Sequence, residues 1–298
     1  MPVEPPIETP SSLADAFAVL AGSTADAPIT PIAGGTDVMV RITGEIGKPP
    51  ARMLDLSRLS DLGGIDVDGG AVVIGARTTY TEIRRSDACR EHLPALVEAA
   101  ATIGAAQIQN RGTLGGNIAN ASPAGDTLPV LLALDAEIVV GGQRGERTIP
   151  AADFWVAYRR TALAPDELIL RIRIPVAGGR EARFRKIGTR RAQAISKVVL
   201  AMAWREAARP GTAARGPASR SWSAVRVALG SVADRPIRAH ATEAVLEGAS
   251  PTPEVADAAA EALAAEIHPI DDVRSTADYR RAVAARALHR MIRDAGGW

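Results

Sequence analysis

Past Val176-Ala177-Gly178-Gly179 the chain stops interleaving strands with helices and lays down strands first and helices afterwards. No other feature of the sequence narrows the possible folds so far. Phe184–Gly188, Val198–Trp204 and Ser223–Gly230 read as strands. Ala207–Ser221, rich in Pro, Gly and Arg, predicts a hairpin loop between the last two. Pro253–Glu266 and Ala277–Ala295 read as helices that close the chain. Strands followed by helices make a small α+β unit. A length of 298 residues with 47% apolar side chains supplies two cores. The expected division is 1–177 and 178–298.

The first part alternates more finely. Ser12 with Asp15 resembles a capping box and opens a helix that Gly22 stops. Pro31-Ile32-Ala33 reads as a short buried strand that runs into Gly34-Gly35-Thr36-Asp37, with a helical pattern over Val38–Ile42. Met53–Leu56 is a second strand. Ile65-Asp66-Val67 and Ala71–Ile74 flank Asp68-Gly69-Gly70 as a hairpin. Pro94–Ile103 is helical, Gln107–Asp126 is a polar, glycine-rich run read as a loop, Leu128–Leu134 is helical, and Glu137–Val140 and Glu167–Ile174 are strands.

Two glycine motifs carry the chemistry. Gly34-Gly35-Thr36-Asp37 stands at a strand-to-helix junction, where glycines let backbone N–H groups approach an anion and the helix dipole adds to the attraction. A diphosphate fits that description, and so does an ordinary tight turn. Thr113-Leu114-Gly115-Gly116-Asn117 lies beside Asn120, Ser122 and Asp126. Its density of short hydrogen-bonding side chains suits a ligand with many hydroxyls and acceptors, and a solvated Ω-loop is the plain alternative. Only three of the 35 basic residues are lysines, and two of them, Lys186 and Lys197, bracket a segment with Arg190 and Arg191. Cations there would favour the anionic, reduced form of a neighbouring redox ring.

Other chemistries lack their signatures. There is no G-x-G-x-x-G, no P-loop, no H-E-x-x-H and no G-x-S-x-G. His92, His240, His268 and His289 are dispersed and read as structural or surface residues. Cys89 is the sole cysteine, which excludes an intrachain disulfide and an iron–sulfur cluster built from this chain alone. It reads as a small buried hydrophobe. A net charge of +1 and 3% aromatic residues give no footprint for nucleic acid. No apolar stretch is long enough to span a bilayer, and Met1–Pro10 has neither the basic nor the apolar region of a signal peptide. The expected location is cytoplasmic.

In this order and spacing, Ala33-Gly34-Gly35-Thr36-Asp37, then Thr113-Leu114-Gly115-Gly116-Asn117-Ile118 with Ser122-Pro123 and Asp126, then Arg190-Arg191 to Lys197, resemble the FAD-binding medium subunit of molybdenum hydroxylases. These are enzymes of the xanthine dehydrogenase and aerobic carbon monoxide dehydrogenase type. Arg274–Arg280 also resembles that family's carboxy-terminal domain. The resemblance implies an α+β fold: a two-subdomain FAD-binding domain of the vanillyl-alcohol-oxidase (PCMH) type, divided at about 58/59, followed by a smaller α+β flavoprotein domain. It implies that Pro31, Ile32, Ala33, Gly34, Gly35, Thr36, Asp37 and Val38 wrap the FAD diphosphate. Thr113, Leu114, Gly115, Gly116 and Asn117 would form the second cofactor loop, and Asp126 a polar contact. Ile103, Ile169 and Lys186 match further positions near FAD.

The resemblance also implies electron transfer from [2Fe–2S] clusters of a small partner subunit to FAD and on to NAD, oxygen or a quinone. A molybdopterin large subunit would oxidise the substrate, within a dimer of heterotrimers. No residue of this chain would be catalytic toward that substrate, and none would bind metal. Without a histidine in the first glycine loop, the flavin is expected to be non-covalent. Ile103 and Gln193 replace an aromatic and an acidic residue of the animal enzymes, so the ring contacts and the electron acceptor do not carry over. The medium subunit of a carbon monoxide or aldehyde dehydrogenase, a stand-alone flavin oxidase and an FAD-free assembly protein are the alternatives.

Overall fold

A computed structural model describes residues 5–43, 48–176, 178–190, 193–208 and 220–298. Three sheets succeed one another along the chain. The first has β1 (Ile7–Glu8), β2 (Ile29–Ile32) and β3 (Arg52–Asp55), all parallel and in the order β1-β3-β2. Parallel neighbours need crossovers, supplied by α1 (Leu13–Leu20) and by the stretch containing α2 (Val38–Ile42). Ser12 Oγ accepts from the Asp15 N–H at 3.1 Å and caps α1. Leu20 and Leu54 are wholly buried in the core beneath this sheet, each worth about 2 kcal/mol in removed apolar surface.

The second sheet is antiparallel, with the order β4-β5-β10-β6-β7. Its strands are β4 (Ile65–Asp68), β5 (Ala71–Gly75), β6 (Glu137–Gly142), β7 (Gly145–Pro150) and β10 (Leu168–Pro175). Between β5 and β6 run α3 (Tyr80–Arg85), α4 (Asp87–His92), α5 (Pro94–Ala101), α6 (Ala106–Gln109), α7 (Leu114–Asn120) and α8 (Leu128–Ala133). After β7 come α9 (Ala151–Phe154) and a small hairpin, β8 (Trp155–Ala157) with β9 (Arg160–Thr161).

The third sheet, β11 (Arg180–Ile187), β12 (Val198–Ala208), β13 (Arg220–Gly230) and β14 (Ile237–Arg238), is an antiparallel meander followed by α10 (His240–Leu246), α11 (Pro253–Glu266) and α12 (Ala277–Gly296). The run Val198–Trp204 is continuously apolar because both faces of β12 are covered. Val198, Leu200, Met202 and Trp204 meet Leu263, Leu288 and Ile292 of the helices, whereas Val199, Ala201 and Ala203 join the core of the second sheet.

Several sequence expectations need correction. The run Gln107–Asp126 is not one loop but carries α6 and α7, and Thr113 is the N-cap of α7, its Oγ1 accepting from the Gly116 N–H at 3.1 Å. Glycines disguised this helix because they lower propensity. The strand at Pro31 starts earlier, at Ile29, and ends at Ile32. The helices α3 and α4 and the mostly exposed edge strand β7 add to the elements read from the sequence. The loop expected at Ala207–Ser221 lies, over 209–219, outside the described residues. Cys89 is buried, as expected, and burial raises its thiol pKa.

Candidate functional site

The loop after β2 is pressed onto the second module. A Cβ on Gly34 would lie 1.8 Å from the Arg111 carbonyl oxygen, so only glycine permits this approach. Gly35 takes φ +76°, a left-handed turn conformation. The Arg111–Thr113 segment is itself zipped to the β5–α3 junction: Tyr80 N–H donates to Gly112 O at 3.2 Å and Leu114 N–H to Thr78 O at 3.0 Å.

Above this stack opens a cleft of about 660 Å³, within the roughly 300–1,000 Å³ usual for small-molecule and cofactor sites. Pro31, Ala33, Gly34, Gly35, Thr36, Asp37, Val38, Thr113, Gly115, Gly116, Asn117 and Ile169 all line it. Ile32 and Leu114 do not. Leu114 is wholly buried below, and the Ile32 side chain lies under Gly35.

The two glycine motifs differ in what they offer. Among the described residues nothing accepts from the N–H groups of Gly34, Gly35, Thr36 or Asp37. Successive unpaired amides on a cleft wall form a concave donor array for an anion. The amides at the start of α7 are already used: Leu114 donates to Thr78 O, Gly115 to Ala76 O at 2.9 Å, Gly116 to Thr113 Oγ1 and Asn117 to Thr113 O. That motif therefore presents a bare glycine surface at Gly116 and the Asn117 side chain, whose Oδ1 accepts from Thr127 Oγ1 at 2.7 Å.

Carboxylates in the cleft are compensated. Burial raises the Asp37 pKa, against the pull of the Arg159 charge. Asn120 Nδ2 donates to Asp37 Oδ1 at 2.7 Å, and Arg159 Nη1 to Asn120 Oδ1 at 2.9 Å. Glu167 is gripped by Arg147 through contacts of 2.8 and 2.7 Å, and the hydrogen bonds of that guanidinium hold its pKa down.

Ile103, Asp126 and Lys186 lie elsewhere. Lys186, on β11, donates from Nζ to Asp126 Oδ2 at 2.5 Å and to Thr102 O at 3.0 Å. It borders a second recess, of about 240 Å³, with Glu98, Phe184 and Arg190. Asp126 Oδ1 is buried with no hydrogen-bond partner. Burial pushes the Asp126 pKa up to about 6, opposed by Lys186. Ile103 packs on the main core, and its carbonyl accepts from Gln109 Nε2 at 3.0 Å. Tyr80 is buried on the wall of the first cleft. Its pKa is raised, first by burial and then by the charges of both Asp37 and Asp126.

The basic segment is not a single patch. Lys186 is neutralised by Asp126, Lys197 Nζ lies 4.8 Å from the Tyr279 ring centroid, and Arg190 donates to Gln193 O. Arg191 lies outside the described residues. Sequence reasoning missed Tyr80, Arg159 and Glu167 on the cleft wall. The only local signal was the Thr79–Glu82 capping box that fixes Tyr80 at the first turn of α3.

Residues 3–177 match the family described as the FAD binding domain in molybdopterin dehydrogenase, and residues 183–295 match the CO dehydrogenase flavoprotein C-terminal domain. The chain belongs to the FAD-binding family of molybdopterin dehydrogenases. It is 31% identical over 284 residues to the carbon monoxide dehydrogenase medium chain of Hydrogenophaga pseudoflava, covering 95% of this chain and 94% of the relative. The nicotine 6-hydroxylase medium subunit of Paenarthrobacter nicotinovorans is 33% identical, with 97% and 96% covered. Among solved structures, a carbon monoxide dehydrogenase from Hydrogenophaga pseudoflava that lacks the Mo-pyranopterin moiety of its molybdenum cofactor superposes with a TM-score of 0.88 at 32% identity, covering 97% and 96% of the two chains.

These findings bear out the expected α+β flavoprotein fold and the expectation of an oxidoreductase subunit. Medium chains belong to assemblies of several subunits. Among the described residues no helix is long and apolar enough to cross a membrane.

Proposed function

We propose that this chain is the FAD-bearing electron-transfer subunit of a three-component molybdenum hydroxylase, working in the cytoplasm. Its partners are a molybdopterin large subunit and a small subunit with [2Fe–2S] clusters, in a dimer of heterotrimers. The observation that carries this reading is the row of unpaired N–H groups at Gly34–Asp37 on a dinucleotide-sized cleft, in a chain whose family is defined by FAD binding.

Bound FAD supplies redox chemistry between iron–sulfur donors and NAD, oxygen or a quinone. The protein's part is to hold and insulate it. Amides of the Gly34–Asp37 loop take the diphosphate, and Pro31 and Val38 bound that loop. Thr113, Gly115, Gly116 and Asn117 form the facing wall, and Ile169 supplies an apolar contact. Lys186 of β11, paired with Asp126 of the α7–α8 connection, would contribute from the second recess, where its Nζ also reaches the Thr102 carbonyl next to Ile103. The working units are 1–177, with subdomains of about 1–58 and 59–177, and 178–298. No histidine occurs in the Gly34–Thr36 loop, which supports non-covalent attachment.

The test is flavin titration of the purified full chain, followed by co-purification with its partners. The reading expects one FAD per chain, released on denaturation, with no oxidation of alcohols or amines by the chain alone. A colourless protein that takes up no FAD would overturn it, and turnover by the isolated chain would favour a stand-alone oxidase.

A further inference from the structure

We infer that Arg159 is the residue that makes the cleft selective for a flavin carrying a diphosphate. This rests on the FAD reading above.

Three arginines line the cleft: Arg41, Arg77 and Arg159. Two of them are turned onto backbone carbonyls. Arg41 Nε donates to Lys48 O at 3.2 Å, and Arg77 Nη1 to Leu59 O at 2.7 Å. Arg159 instead reaches the anion loop. Its Nη1 donates to Asn120 Oδ1 at 2.9 Å, and Asn120 Nδ2 donates to Asp37 Oδ1 at 2.7 Å. Asp37 contributes one of the four unpaired amides.

The guanidinium is thus linked through the Asn120 side chain to the Asp37 carboxylate, and among the described residues its Nε and Nη2 have no hydrogen-bond acceptor. An arginine presents five donors in a planar fork suited to phosphate oxygens. Backbone delivers it there at a conformational cost. Arg159 sits at the tip of the β8–β9 hairpin with φ +51°, the left-handed region that a residue with a Cβ seldom occupies. Such outliers persist where the surroundings hold them, often at ligand clamps.

The charges in the cleft favour the same assignment. Glu167 is already paired with Arg147. Asp37 lines the same cleft, and its carboxylate would repel a dianion were it not for the Arg159 charge. The hairpin therefore serves as a strap whose cleft-facing cation, Arg159, offsets Asp37 in the free protein and meets the diphosphate when the cofactor is bound.

Titration of the full-length chain with FAD and with riboflavin, followed by quenching of flavin fluorescence, tests this. In Arg159→Ala the FAD affinity falls by about tenfold or more, the loss of a charge-assisted hydrogen bond. The riboflavin affinity changes by less than about twofold, because riboflavin has no phosphate. Arg159→Lys keeps FAD binding closer to that of the unaltered chain, and Arg160→Ala, which replaces a neighbour outside the cleft, leaves both affinities unchanged. Equal losses for FAD and riboflavin in both Arg159 variants would assign the hairpin a general packing role and overturn the inference, as would unaltered FAD binding. If the unaltered chain binds neither flavin, the FAD reading falls first and this inference falls with it.

Discussion

Lys186 and Asp126 form an ion pair of 2.5 Å across the junction of the second and third sheets, and the other carboxylate oxygen of Asp126 is buried without a partner. Both side chains are about nine-tenths buried, with exposures of 10% and 8%. A pair this dry is costly to assemble and costlier to break on one side. It joins β11 to the α7–α8 connection and to Thr102 at the end of α5, so it ties the carboxy-terminal sheet to the helical layer of the second module.

The raised pKa of Asp126 gives this pair a pH signature. An unfolded aspartate titrates at about 3.9, whereas burial pushes Asp126 up to about 6 in the folded chain. Between those values the folded state binds more protons than the unfolded one. Its contribution is therefore fully present below about pH 4 and is lost as pH rises through about 6. Urea unfolding from pH 4 to 7 should show this downward component, and Asp126→Asn should remove it. An identical pH slope in the variant would show that Asp126 is not the titrating group. Lys186→Met, which leaves the carboxylate unpaired, should cost about 3–5 kcal/mol at pH 7.

Glu167 predicts the opposite slope. Arg147 grips both of its carboxylate oxygens, and the Ala164 N–H donates to Oε2 at 2.8 Å, so its pKa is lowered. Its contribution is present above the ordinary glutamate value of about 4.3 and disappears as pH falls through the depressed folded value. With Arg147 half exposed, screening limits the cost of Glu167→Gln to about 1–2 kcal/mol at pH 7. The loss should shrink toward pH 3, and a loss independent of pH would point to packing instead of charge.

The sequence showed most of the elements and half of the cleft. Val38–Ile42 and Pro253–Glu266 form helices at the bounds read from the residues, the second opened by the Thr252 N-cap and Pro253 at its first turn. The strand β12 was legible as an apolar run, since burial on both faces removes the need for alternation. The cleft's far wall was not legible. Arg159 and Glu167 sit in a stretch with no motif, and only the pairing of β6 with β7 and β10 brings Arg147 to Glu167. Conversely, Gly34 and Gly115 look like ligand glycines in sequence, yet each is required first by the protein's own packing: Gly34 by Arg111, and Gly115 by Ala76, which a Cβ would approach to 2.7 Å.

That distinction can be tested by two alanine substitutions read without any flavin. Gly34→Ala places a Cβ 1.8 Å from backbone at Arg111, so the loop must move. The expected loss is about 1–3 kcal/mol or more, visible as a lower urea midpoint in the flavin-free protein. Gly116→Ala meets only Thr113 Oγ1, at 2.9 Å, and gains helix propensity of about 1 kcal/mol. Because that hydroxyl also caps α7, displacing it costs about 0.5–2 kcal/mol, and the net change in stability should stay within about 1 kcal/mol of the original. If both variants unfold at the same midpoint, Gly34 is not held by packing.

Asp135 gathers three arginines from the third sheet: Arg180 at 2.8 Å, Arg226 at 3.0 Å and Arg238 at 3.4 Å. Arg180 also donates to the carbonyls of Leu134 and Ala133, closing the C-terminal end of α8. Arg238 also keeps Glu243 as a partner, so removing the Asp135 carboxylate chiefly strips the counter-charge from Arg180 and Arg226. Asp135 has φ +50°, so asparagine, which tolerates that conformation, isolates the charge from the backbone effect. The site is 43% exposed on the Asp135 side, and exposed pairs are weak. The network nevertheless makes Asp135→Asn cost about 1–2 kcal/mol at low ionic strength. The cost should shrink as salt is raised toward 1 M, where screening acts within about 3 Å. A deficit unaffected by salt would mean that the hydrogen-bond geometry at the end of α8, and not the charge, joins the two sheets.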